Sequence, residues 1–346
     1  MTKKHFKYIS KVYLTRKNYL NIMVQTILLI NPFTKAPLKQ LAEGLFDNST
    51  NLFPYKKGAF RIVIDNNYTN NFGYQWNKFT ATQIDREQKN SQFTYTRFFA
   101  STNWNQEDLQ DKNILEVGSG AGRFTQIVLD YTKGKLYSVD YSNAVEANYR
   151  NNGHHKNRLQ LFQASVYEMP FANAQFDKVF CFGVIQHTPD VKKTVQFLIE
   201  MAKPGGEVIV DFYCINGWWT KIQAKYIFRP FTKKWSNEKL LMKIEKNIDW
   251  MIKMTSFFNK IGIGKLINRF IPICDIKGTL PQNLSKNELR EWCVLDTFDM
   301  FSPQYDQPQK VTTVKKWFEE NGMKQVWGGK LHFGKNISYL VKGIKI

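Results

Sequence analysis

Three glycines and one aspartate carry the first chemistry in this 346-residue chain. Gly118, Gly120 and Gly122 sit in the string N-I-L-E-V-G-S-G-A-G-R, residues 113–123, where an apolar run enters a turn and a helix-like segment follows. A turn without Cβ atoms lets the backbone approach a ligand closely. Downstream, Lys135-Leu136-Tyr137-Ser138-Val139 reads as a second strand ending on Asp140, twenty-two positions after Gly118. A carboxylate in that place can accept hydrogen bonds from both hydroxyls of a ribose. A glycine triplet alone is weak ground for a site, and the acidic residue after the next strand is what strengthens it.

Two cofactor classes use such a turn, the dinucleotides and S-adenosylmethionine, and spacing separates them. The dinucleotide fingerprint is G-x-G-x-x-G, whose third glycine packs helix on strand. Here the spacing is G-x-G-x-G, and Glu116-Val117-Gly118-Ser119-Gly120-Ala121-Gly122 resembles the first motif of the class I S-adenosylmethionine-dependent methyltransferases. Residues 164–171 (A-S-V-Y-E-M-P-F), 176–190 (F-D-K-V-F-C-F-G-V-I-Q-H-T-P-D) and 203–210 (K-P-G-G-E-V-I-V) resemble its later motifs in the right order. The resemblance covers Asn113 to about Phe212. It implies an α/β fold with a Rossmann-like seven-stranded sheet, methyl transfer as the activity, and S-adenosylmethionine as the cofactor.

The resemblance also implies roles residue by residue. Glu116 and the turn at Gly118, Ser119, Gly120 and Gly122 would hold the amino acid end of the cofactor, and Asp140 with Tyr141 its ribose. Ser165 and Val166 would flank the adenine, with Ser165 standing where the family usually has an aspartate. A hydroxyl can accept the same bond. Gly183 and Gln186 follow the fourth strand, at the edge where open α/β sheets place their ligands. From the aromatic stretch Phe72–Phe79, Trp76 could pack on the cofactor and Gln75 bond its carboxylate, with Arg97 a second candidate for that carboxylate. An aromatic in this setting is equally explained as core. His187 is the candidate general base, since an imidazole titrates near neutrality. It could also only line the pocket, because displacement at a sulfonium is driven by positioning and requires no base. Asp296, Asp299, Tyr305, Asp306 and Gln309, in a late segment resembling the same group, are candidate substrate contacts, although caps and turn bonds would account for some of them.

The elements that must position these residues alternate. Strands are expected at Asn113–Val117, Lys135–Asp140, Leu159–Ala164, Lys178–Phe182 and Glu207–Phe212, with Lys203-Pro204-Gly205-Gly206 breaking the chain before the fifth. Helices begin near Gly122, Ser142 and Val191. A helix over Val311–Asn321 and strands at Lys324–Gly328 and Ile337–Val341 complete the sheet. Between lies an insertion, residues 215–272, with twelve Lys or Arg against Glu238, Glu245 and Asp249, a net +9. Leu240, Leu241, Ile244, Ile248, Met251 and Ile252 recur at helical spacing, which predicts a helical cap over the substrate pocket. The expected division is 1–70 for a lead-in and small β unit, 71–112 for the aromatic segment, 113–214 with 290–346 for the core, and 215–289 for the cap.

The N-terminal unit resembles the frame of a zinc-ribbon module that precedes some such methyltransferases. Its cysteine positions hold Asn31, Thr34, Phe46 and Ser49, which supply no thiolate, imidazole or carboxylate, so no metal is expected. Tyr19–Ile30 is apolar but short and interrupted by Asn21 and Gln25, and is read as a structured lead-in rather than a span or a signal peptide.

A net charge of +20 with 15% aromatic residues implies an anionic partner: nucleic acid, a membrane surface or a phosphorylated substrate. Four scattered cysteines, Cys181, Cys214, Cys274 and Cys293, form no C-x-x-C pair, which fits a reducing cytoplasm. Enzymes that methylate exocyclic base nitrogens resemble one another in an N-P-P-Y-type stretch, and Gly183-Val184-Ile185-Gln186 is unlike it. The expected partner is therefore a small-molecule or amphiphilic acceptor, with nucleic acid set aside. A nucleic-acid methyltransferase, and a membrane-associated one that uses a lipid-like acceptor through the basic cap, are the alternatives.

Overall fold

The computed structural model describes residues 27–47, 52–63, 67–88 and 92–346. Its apolar runs become one mixed sheet of strands β1 (Lys39–Leu41), β2 (Gly44–Phe46), β3 (Leu52–Lys56), β4 (Ala59–Arg61), β5 (Asn113–Val117), β6 (Lys135–Asp140), β7 (Leu159–Gln163), β8 (Phe176–Cys181), β9 (Ala202–Phe212), β10 (Met323–Phe333) and β11 (Asn336–Lys345). The spatial order is β1-β2-β3-β4-β7-β6-β5-β8-β9-β11-β10. From β7 to β9 the pairs are parallel, and β11 enters antiparallel beside β9. This is the Rossmann-like seven-stranded sheet that the motifs imply, with four further strands on its β7 edge.

Every residue of β5 is buried, as a central parallel strand covered on both faces requires. Alternation then divides the core. Ile114, Leu136, Phe180 and Ile209 face one side, with Phe98, Phe124 and Val128. Leu115, Tyr137, Val179 and Val208 face the other, with Phe171, Leu198 and Phe318. The covering helices are α1 (Asn70–Lys78), α2 (Phe93–Thr102), α3 (Arg123–Tyr131), α4 (Val145–Asn152), α5 (Val191–Met201) and, after the insertion, α11 (Val311–Glu320).

Three expectations about the elements are corrected. The fifth strand begins at Ala202 and runs through the Pro-Gly-Gly breaker, because the register shift between Phe176 and Lys178 absorbs the irregularity and Gly205 takes φ +78°. The last two strands form a longer hairpin than expected, reaching Phe333 and Lys345. The N-terminal β unit is not free-standing: β4 pairs in parallel with β7, so the meander β1–β4 prolongs the main sheet. Asn31, at a cysteine position of the ribbon frame, instead ties a turn, its Oδ1 accepting from the Phe33 and Thr34 amides and its Nδ2 donating to Asp47. A zinc-ribbon-like origin has no support in this arrangement. Ser49 and most of the lead-in lie outside the described residues.

The insertion folds as α6 (Ala224–Thr232), α7 (Asn237–Lys260), α8 (Gly264–Ile267), α9 (Ile276–Thr279) and α10 (Lys286–Phe301). Ser236 caps α7, and Ser285 with Glu288 forms a capping box on α10. The periodic residues Leu240, Leu241, Ile244, Ile248 and Met251 are buried against Trp292, Leu295 and Phe298 of α10 and against Phe79 after α1. The cap thus has its own core, and α10 crosses the boundary expected at residue 290. Among the described residues no helix is long and apolar enough to cross a membrane.

Candidate active site

β5 delivers the chain into the glycine turn at the carboxyl edge of the sheet. Gly122 stands at φ +85°, and a Cβ there would lie 2.2 Å from Asn148 Oδ1 on α4, so the turn admits only glycine at this point. Asp140, at the end of β6, holds the turn from beneath. Its Oδ2 accepts from the Gly120 amide at 2.8 Å, and its Oδ1 from Ser142 N and Oγ at 2.8 and 2.7 Å. Burial raises its carboxyl pKa, and these three donors oppose the rise.

Above the turn, Trp76 of α1 lies so close that a Cβ on Gly120 would fall 2.9 Å from its Nε1. Gln75 beside it is fully buried, and neither end of its amide has a hydrogen-bond partner among the described residues. The same is true of Gln186, and Ser119 Oγ is buried and unpartnered. Buried polar groups without partners are costly. Three polar side chains without a partner among the described residues, with the half-satisfied Arg123, surround one cavity, as a polar ligand would require.

Arg123 was missed by sequence reasoning, although it closes the motif string. A cation in the first turn of α3 opposes the helix dipole, and that misfit was the available clue. Its Nη1 donates to Gln83 Oε1 at 2.6 Å, its guanidinium packs 4.7 Å from the Phe124 ring centre, and its Nε and Nη2 have no partner. Burial, followed by the neighbouring Arg97, lowers its pKa to about 9. Arg97 itself donates to Asp211 and leaves Nε unpartnered. A buried, half-satisfied fork of this kind suits a carboxylate.

These residues line one cavity of about 870 Å³, which runs from Gly118, Ser119 and Gly120 past Asp140, Tyr141, Val166 and Gly183 to Lys225, Asp296 and Asp299 under the cap. The volume lies in the range of small-molecule sites. Not every expected residue reaches it. Glu116 lies beneath the turn, where Thr125 and Ser138 donate to Oε2, and burial pushes its pKa up to about 7. Gly122 shapes the turn without lining the cavity. Ser165 is spent on a local bond from the Tyr167 amide, while its neighbours Ala164 and Val166 form the wall.

The far wall centres on His187, in the short turn Ile185–His187 after β8. Its Nδ1 lies 2.9 Å from the Tyr305 carbonyl, its ring packs between Phe72 and Tyr213, and Nε2 is buried without a partner among the described residues. Tyr213 Oη donates to Asp299 at 3.1 Å, and Lys225 Nζ sits 4.2 Å from the Tyr213 ring centre. Lys225 and Arg229 of α6 converge on the buried Asp306. Burial, reinforced by Asp299, raises the Asp296 pKa to about 7. Tyr305, Asp306 and Gln309 do not line the cavity. Their segment instead clasps its rim through the Gln307 amide on the Gln186 carbonyl and the Gln309 amide on the Tyr213 carbonyl.

A Rossmann-like sheet whose first strand enters a glycine turn tethered to an acidic residue on the next strand is a frame that S-adenosylmethionine-dependent methyltransferase domains share with dinucleotide-binding ones. Residues 115–210 match the family described as "Methyltransferase domain", so the chain carries a methyltransferase domain with S-adenosylmethionine as its cofactor. Among curated proteins it is similar to the tRNA U34 carboxymethyltransferase of Nautilia profundicola, 29% identical over 133 residues, 37% of this chain and 44% of that one. It is also similar to the chloroplastic tocopherol O-methyltransferase of Arabidopsis thaliana, 27% identical over 122 residues and 34% of each chain. The chain thus spans less than half the length of either relative. A crystal structure of magnesium protoporphyrin IX methyltransferase from Synechocystis with bound SAH aligns with TM-score 0.44 and 13% identity over 81% of this chain and 97% of that one. Relatives named for tRNA overturn the expectation that set nucleic acid aside. Absence of an N-P-P-Y stretch speaks only to base-nitrogen chemistry, and U34 is a uridine position.

Proposed function

We propose that the protein transfers a methyl group from S-adenosylmethionine to a small or medium-sized acceptor held between the glycine turn and the helical cap. The observation that carries this reading is the single cavity joining Gly118–Gly120 and Asp140 to Lys225 and Asp299. When bound, the cofactor supplies an electrophilic methyl group on a sulfonium. The chain's residues do the rest. Asp140 offers the lone pairs left over from Gly120 and Ser142 to the ribose hydroxyls, and Trp76 covers the turn. Gln75, Ser119 and the free edge of the Arg123 fork face the amino acid end, where a carboxylate would satisfy the guanidinium. Aligning the acceptor with the methyl–sulfur bond is then the main catalytic contribution, since oriented reactants already avoid much of the entropic barrier.

A second reading, an acceptor group carried on tRNA, is favoured by the names of the relatives and by the net charge of +20. Methyl-tritiated S-adenosylmethionine, incubated with the protein and either a low-molecular-weight extract or bulk tRNA, separates the two. Label in the small-molecule fraction is expected. Label precipitating with tRNA would establish the second reading, and label in neither would refute both.

A further inference from the structure

The far wall of the cavity contains a histidine whose two ring nitrogens are treated differently. His187 Nδ1 faces the main-chain carbonyl of Tyr305 at 2.9 Å. A carbonyl oxygen only accepts, so this contact places the ring proton on Nδ1 and leaves the lone pair on Nε2. Nε2 is buried and has no partner among the described residues. The ring cannot swing away to find one, because Phe72 and Tyr213 pack against it at 5.3 and 5.5 Å between ring centres. A fixed, unpartnered acceptor on a side chain lining the cavity asks for a ligand that brings a proton.

We propose that His187 is the general base of the transfer, its Nε2 receiving the proton of the acceptor, so that the acceptor atom is a hydroxyl oxygen or an N–H nitrogen. This rests on the methyl-transfer reading above and narrows its substrate class. The acceptor's X–H proton passes to Nε2, the freed electron pair forms the X–C bond, and the pair of the broken C–S bond stays on sulfur as a neutral thioether. The imidazolium formed keeps its Nδ1–H bond to Tyr305.

The charged and titratable groups around the ring come from four places: Asp299 on α10, Asp306 in the clasp, Lys225 on α6 and Tyr213 at the end of β9. Burial lowers the pKa of His187 below its ordinary value, the two aspartates oppose this, and Lys225 adds to it. Burial thus favours the neutral ring, the form that can accept a proton. The nearby carboxylates are positioned to stabilise the imidazolium once the proton arrives.

Two measurements test the assignment. Long-range proton–nitrogen NMR on protein labelled at histidine, assigned with His187→Asn, reads the tautomer without any acceptor. A lone pair on Nε2 at neutral pH is expected, and a protonated Nε2 overturns the proposal. In the second arm, methyl-tritiated S-adenosylmethionine is incubated with the low-molecular-weight extract, and the labelled product is identified by mass spectrometry. Label on oxygen or nitrogen that carried a proton is expected. His187→Asn should lower kcat about 10²–10⁴-fold and abolish its acidic pH limb, with cofactor affinity by calorimetry unchanged. Label on a carboxylate, a thioether or a tertiary amine, or a His187→Asn rate within threefold of the parent, overturns it. A parent protein that labels neither this extract nor bulk tRNA refutes the transfer reading, and the proposal falls with it.

Discussion

Arg123 and Glu116 lie seven positions apart, one above the glycine turn and one below it, and they show how a residue's duty follows from what surrounds it. Arg123 lines the cavity with a stacked, buried guanidinium, two of whose nitrogens have no partner among the described residues. Arg123→Ala should weaken S-adenosylmethionine binding by ~2–5 kcal/mol, the usual cost of removing one partner of a buried charge pair, and calorimetry would read it. Arg123→Lys should restore little, because an ammonium cannot present a fork. Glu116 has the opposite character. The folded protein holds its proton up to about 7, against 4.5 for an ordinary glutamate, so the unfolded chain releases that proton first. Its contribution to stability therefore declines as pH rises from about 4.5 to about 7, and is flat above. Glu116→Gln cannot titrate and can still accept from Thr125 and Ser138. The variant's denaturation midpoint should fall less than the parent's across that window, and parallel pH curves would disprove the account. Of these two, only Glu116 was visible as a site residue in sequence, through its motif. The place of Arg123 depends on Gln83 and Phe93, which no local spacing connects to it, as well as on the adjacent Phe124.

At the scale of elements, legibility followed the range of the forces. β5 and β6 were readable to the residue, because short segments rich in apolar residues, Ile114, Leu115 and Val117 in one and Leu136, Tyr137 and Val139 in the other, are followed by the glycine turn and by Asp140. The start of β9 was not readable, since it depends on the partner strand β8 accepting a register shift opposite Pro204-Gly205-Gly206. The periodic stripe of α7 was legible as well, but its partner was not: α10 was assigned to the sheet domain, yet Trp292, Leu295 and Phe298 pack in the cap core with Ile248. This joins cap to sheet domain more closely than a removable lid would be. Ile248 is fully buried there. Ile248→Ala should cost ~2–4 kcal/mol in urea denaturation, through lost burial and the cavity left behind. Hydrogen exchange should accelerate in α7 and α10 before β5. Equal acceleration in all three would mean that the cap and sheet unfold as one cooperative unit.

On the whole molecule, basic charge is concentrated in the cap. Six basic side chains line the cavity, Arg97, Arg123, Lys225, Lys265, Arg269 and Lys277, and Asp211 pairs with Arg97 and Asp306 with Lys225. Of the net +20, +9 falls in residues 215–272. Lys233, Lys234 and Lys239 are exposed there, between α6 and the first turn of α7, next to the partly exposed Trp235 ring, over which Lys239 Nζ sits at 5.1 Å. Such a mixture of lysines and an aromatic suits a phosphate backbone, whose binding weakens as salt competes for the phosphates. Replacing the three lysines by serine should lower the slope of log affinity for bulk tRNA against log salt by about one for each phosphate that is no longer neutralised. Fluorescence anisotropy across a salt series would measure it. A slope identical to that of the parent would take this face of the cap out of the tRNA reading. A reduced slope with unchanged S-adenosylmethionine affinity would assign the cap's charge to the acceptor's carrier and the glycine turn to the cofactor, two functions held by separate cores.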